Sequence, residues 1–66
     1  MSIVKVIEVI ATSKKGWDEA AQKAVKDAAK SVKNIKHLYV ESMTAVVDGD
    51  EIKEYRLNAK ISFVVK

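Results

Sequence analysis

The stretch from Ile52 to Val65 reads IKEYRLNAKISFVV, and from Glu54 to Phe63 polar and apolar residues alternate without a break. Tyr55, Leu57, Ala59, Ile61, Phe63 and Val65 fall on one side, and Glu54, Arg56, Asn58, Lys60 and Ser62 on the other. A period of two sustained over this length is the pattern of a strand with one covered face and one open face. Ile61 and Phe63 are therefore predicted to point into the core.

Immediately upstream, Asp48-Gly49 reads as a hairpin turn of type I′, in which both central residues need positive φ. The hairpin's other arm is Ile35 to Val47. Uninterrupted alternation would put Leu38, Val40, Thr44 and Val46 on one side. It would put His37, Tyr39, Glu41, Met43, Ala45 and Val47 on the other.

Before the hairpin the period changes. Trp17, Ala20, Ala21, Ala24, Val25, Ala28 and Val32 recur at the spacing of one helical face. Glu19, Gln22, Lys23, Lys26, Asp27, Lys30 and Lys33 occupy the opposite face. The helix opens at Ser13 or at Gly16, with Asp18 and Glu19 at its positive end, and Asn34 is a natural stop. Its length is about 17 residues, or about 25 Å. Its inward face is mostly alanine, which permits close approach but contributes little apolar area. Ile3 to Ala11 completes the chain as a β-branched strand, apolar on both faces.

Chain direction then fixes the topology. The first strand is antiparallel only to the third, so the expected fold is α+β: a βαββ unit whose three-stranded antiparallel sheet, in the order 1-3-2, packs against one helix. The two outer strands are open edges, which invite pairing with other chains.

With 66 residues the chain is read as one domain, residues 1–66, and it has no cysteine or proline. A monomer of this size buries only about 60% of the surface its unfolded chain exposes. With no disulfide or thiolate metal site available, oligomerisation is the expected staple. The apolar runs are far too short to span a membrane, and the N-terminal MSIVKVIEV is unlike a signal peptide, so a cytoplasmic location is the default expectation. The net charge of +3 comes from lysines scattered along the chain, without interleaved aromatics, and no nucleic-acid partner is expected.

KVIEVIATS (Lys5 to Ser13) leading to Trp17, then AVKDAAKSVKNI (Ala24 to Ile35) and EYRLNAKISFVV (Glu54 to Val65) together resemble the dodecin family over nearly the whole chain. The resemblance implies a hollow homododecamer that stores or buffers flavin and is not an enzyme. It implies that isoalloxazine rings stack between tryptophans of symmetry-related subunits, with a strand glutamine on the ring edge. At the corresponding positions this chain has His37 and Arg56.

Several residues are thus candidates for binding. His37 can stack on an aromatic ring with less area than indole, or be a surface histidine without a ligand role. Arg56 can pair with a phosphate or carboxylate, or be tied up by Glu54, Glu41 or an acid of a neighbouring subunit. Tyr39 shares the face of His37 and is a further candidate for ligand contact, while Tyr55 and Trp17 read as packing residues. Asp48, Asp50 and Glu51 form an acidic cluster that is first a hairpin turn. Because hard cations prefer carboxylate oxygens, and because some dodecin-like proteins without the tryptophan are considered calcium binders, Glu41, Asp48, Asp50 and Glu54 are the alternative metal residues. No catalytic motif or phosphate-binding glycine loop is present. Three readings follow: a storage oligomer for riboflavin, FMN or a related aromatic anion; a dodecin-fold protein that binds calcium instead; and an assembly with a purely structural or interaction role.

Overall fold

A computed structural model describes residues 3–65. The elements are β1 (Ile3–Ser13), α1 (Trp17–Ala28), β2 (Ile35–Asp48) and β3 (Glu51–Val65). β3 is central and antiparallel to both neighbours, giving the order β1-β3-β2. The βαββ arrangement is the expected one.

Register shows which residues share a face, since directly opposed residues of an antiparallel pair point the same way. Val9, Ala59 and Val40 oppose one another, as do Ile7, Ile61 and Leu38. Leu57 pairs with Ala11 on one side and Met43 on the other. Leu57, Ala59 and Ile61 are at most 1% exposed, and Ala20 of α1 is fully buried. Ala20, Leu57 and Ala59 form the packed centre, with Val9, Ala11, Leu38 and Val40 around it. Phe63 lies on the same face but is only half-buried, because the helix ends before reaching it. Its expected core role passes to Leu57 within the protomer.

The helix is shorter than its periodicity predicts. It stops at Ala28, whose carbonyl accepts from both Ser31 N and Val32 N in a tightened turn. Val32 keeps the apolar spacing without belonging to the helix. Asn34 has φ 64°, a left-handed conformation that turns the chain into β2; it does not cap the helix. Its backbone carbonyl and its side-chain amide both reach Val64 of β3.

At the other end of the helix, Gly16 is the N-cap and supplies no side-chain bond. Ser13 serves the entry from outside. Its buried hydroxyl donates to Glu19 Oε1 at 2.7 Å and accepts from Lys15 N at 2.9 Å.

Two details of the hairpin differ from expectation. Asp48 pairs with Glu51, so the central turn residues are Gly49 and Asp50. Gly49 alone of the two has positive φ, +67°, which is the type II′ pattern and not type I′. Within β2, Val40 pairs with Ala59 but Ser42 with Asn58, so Glu41 is an extra, bulged residue. The bulge reverses the alternation beyond it. Met43 and Ala45 join Leu38 and Val40 on the helix side, while Thr44 and Val46 move to the open face with Tyr39.

Trp17 joins the layers. Its ring meets Tyr55 edge-on at 4.8 Å, and its indole Nε1–H is shared by the carbonyls of Thr44, at 3.1 Å, and Arg56, at 3.2 Å. One helix side chain therefore holds both arms of the hairpin. Leu57→Ala is expected to destabilise the protein by about 2–5 kcal/mol. Trp17→Phe keeps one aromatic ring but loses the donor and part of the indole's packing area, and should cost at least about 0.5–1.5 kcal/mol. Both are read from the urea denaturation midpoint at fixed protein concentration. A loss under about 0.5 kcal/mol for Leu57→Ala would mean that the helix does not seal this face.

Candidate functional site

The sheet face opposite α1 carries the candidate residues. Thr12, Arg56 and Thr44 form one cross-strand row, Ile10, Asn58 and Ser42 the next, and Glu8, Lys60 and Tyr39 the third. Val6, Ser62 and His37 form the fourth. On the β1 side of this face Val4, Val6 and Ile10 are 62%, 55% and 66% exposed, interrupted by Glu8 and followed by Thr12. The β2 and β3 side is polar.

A single protomer does not bring His37 and Arg56 together. His37 opposes Ser62 and Arg56 opposes Thr44, which sets the two rows six positions apart along β3, about 20 Å. Tyr39 opposes Lys60, four residues from Arg56 along β3 and about 13 Å away. His37, Tyr39 and Arg56 are all exposed. A ring-binding pocket of the kind expected from the resemblance does not fit these residues within one chain.

The acidic candidates are also dispersed. Glu41, placed by its bulge, pairs with Lys60 at 3.4 Å, and both side chains are about two-fifths exposed. Such a pair is worth little energetically, but it occupies Glu41. Glu54 opposes Val46 on the open face, and Asp48 and Asp50 sit at the exposed hairpin tip. Among the described residues, no three His, Asp or Glu side chains converge on a point that could hold a metal ion. Calcium takes six to eight oxygen ligands, so one protomer offers no complete calcium site.

Arg56 has no carboxylate within ion-pairing distance among the described residues, and neither Glu54 nor Glu41 ties it up. The role of Thr12 and Thr44 as its neighbours was not legible from the sequence. Thr44 reaches this face only through the bulge at Glu41, and no residue pattern announces that bulge. On the helix side, an apolar groove of about 470 Å³ runs between β1 and α1, lined by Ile7, Val9, Ala24, Ala28 and Val32. No helix among the described residues is long and apolar enough to cross a membrane.

Comparison with known proteins places this geometry. The calcium dodecin of Mycobacterium tuberculosis is 36% identical over 66 residues, spanning all of this chain and 93% of that protein. Its crystal structure, described as that of a calcium-chelating immunodominant antigen with a novel calcium-binding site, superposes with a TM-score of 0.82 at 35% identity, covering 97% of this chain and 91% of that one. A mutant dodecin from Thermus thermophilus superposes with a TM-score of 0.93 at 23% identity, covering 100% of this chain and 98% of that one, a likeness of fold alone. The family model for dodecin matches residues 3–66, and the chain belongs to the dodecin family.

Proposed function

We propose that the whole chain acts as one dodecin-like unit in a closed homododecamer, and that this assembly is a non-enzymatic binding protein for a divalent cation, calcium, in preference to flavin. The observation that carries the reading is the likeness to a calcium dodecin along the full length of the chain. The residues at the flavin positions agree with it. Histidine offers less stacking area than tryptophan, and Arg56 offers only donors where an amide offers both donors and an acceptor.

The dispersal of the acids gives the reading its form. With no three-ligand group inside a protomer, carboxylates from symmetry-related copies must share the cation. Glu41, Asp48, Asp50 and Glu54 are the residues we assign to that role. Glu54 and the hairpin-tip acids remain free for it, whereas Glu41 would first have to leave Lys60.

Assembly and binding are tested together. Native mass spectrometry should show about twelve chains (the number that goes with the family), and calorimetric titration of chelator-treated protein should show saturable calcium uptake. Glu54→Gln and Asp50→Asn should each weaken that uptake about tenfold or abolish it, with the assembly intact. A stable monomer would refute the oligomer, and an intact oligomer without calcium uptake would refute the cation reading and favour a structural role.

Flavin is tested separately, by quenching of riboflavin and FMN fluorescence. The unaltered chain should quench weakly or not at all at micromolar concentration, and His37→Trp combined with Arg56→Gln should increase the affinity. Nanomolar binding by the unaltered chain would overturn the preference for a cation.

A further inference from the structure

We propose that Thr12, Arg56 and Thr44 form an oxyanion-binding row on the open face of the sheet, one that receives a phosphate group. The proposal goes beyond the cation reading and uses different residues.

The row is set by register. Thr12 of β1 and Thr44 of β2 both lie directly opposite Arg56 of β3. Cross-strand partners on one face have Cβ atoms about 4.5–5.5 Å apart. The only arginine among twelve basic residues thus stands between two hydroxyls on a common surface. A guanidinium presents a planar fork of donors that matches phosphate oxygens, and a threonine hydroxyl adds one more donor.

These donors are uncommitted. Among the described residues, the three ion pairs are Lys15–Glu19, Lys30–Asp27 and Lys60–Glu41, and Arg56 is in none of them. The described side-chain hydrogen bonds involve neither threonine hydroxyl. One row further along β3, Asn58 and Ser42 bring more neutral donors to the same face.

The backbone of the row is held from the helix. Trp17 Nε1 donates to the carbonyls of Thr44 and Arg56, at 3.1 and 3.2 Å, and Lys23 Nζ donates to the carbonyl of Thr12 at 3.5 Å. One indole thus serves the carbonyls of Thr44 and Arg56, and Lys23 lies at the outer limit of a hydrogen bond to that of Thr12. What these contacts hold is the backbone, and with it the spacing of the three side chains, while the Arg56 side chain itself is exposed. Glu54 opposes the row's charge from two residues before Arg56 on the same face, about 7 Å along the strand. Its presence weakens the attraction without occupying the guanidinium.

The test is equilibrium dialysis of the intact oligomer against radiolabelled inorganic phosphate, in chelator-treated, calcium-free buffer at constant ionic strength. Failure here is thereby separated from failure of the cation reading. Saturable binding of one phosphate per chain at millimolar concentration is expected. Arg56→Gln should raise the midpoint about tenfold and Thr44→Val about threefold, while Glu54→Gln should lower it. Should Arg56→Gln fail to assemble, Arg56→Lys, which keeps the charge and loses the fork, should still raise the midpoint severalfold. Glycerol phosphate as competitor distinguishes the sources. Equal midpoints support a site for the phosphate group alone, and tighter binding of the monoester supports one that also contacts the organic part. Non-saturating uptake, or an unchanged midpoint in Arg56→Gln, would overturn the proposal.

Discussion

A helix of twelve residues, about 18 Å long, lies on a slab that extends 52 Å along its main axis. That mismatch governs the molecule. Only the middle of β3 is sealed, at Leu57, Ala59 and Ile61. Apolar residues at the sheet's ends remain exposed, Ile3 at one and Val47 and Ile52 at the other, and Val4, Val6 and Ile10 lie open on the face away from the helix. The helix could not seal more even where it touches, because its buried residues are Ala20 and Ala24. A monomer with so thin a core and so much open apolar surface has little to set against its conformational entropy. Assembly is the physical remedy, and the proposed function depends on it.

The second constraint is the bulge at Glu41. A regular β2 would have carried Thr44 to the helix side and set Met43 on the open face. The extra residue instead returns Met43 and Ala45 to the side of Leu57 and Tyr55, and presents Thr44 beside Arg56. It also aims Glu41 at Lys60. Bulges that re-aim side chains in this way are common next to functional sites. Trp17 then fixes the strand pair beyond the bulge through the two carbonyls it serves.

The fold was legible because β3 states its two faces residue by residue, and strand order follows from chain direction. The helix was legible in place but not in length. Val32 continues the apolar spacing, yet the backbone has already tightened at Ala28. The turn was legible in position but not in type, since the choice between I′ and II′ rests on Asp50, whose φ no residue pattern reveals. The face assignments of β2 were right up to Val40 and inverted from Met43 to Val46, because one unpaired residue reverses a period of two. The candidate site was the least legible part. His37, Tyr39 and Arg56 do share one face, but their separation along the strand depends on register, and register depends on the bulges.

That separation bears on what the open face can bind. A ligand small enough to sit in one row meets the three residues of that row alone, Thr12, Arg56 and Thr44 in one case and Glu8, Lys60 and Tyr39 in another. A ligand that needs His37 and Arg56 together must draw them from different copies. The same holds for a cation that needs several carboxylates, since the four candidate acids of one chain are divided between the Lys60 pair, the open face and the hairpin tip. Lys60 and Arg56 stand four residues apart on β3, but their situations differ. Lys60 pairs with Glu41 and has Glu8 directly across from it, while Arg56 is in none of the ion pairs among the described residues. In water an exposed charge is worth little by itself. It becomes selective where neutral donors flank it, and the two threonines directly opposite Arg56 on either side supply them.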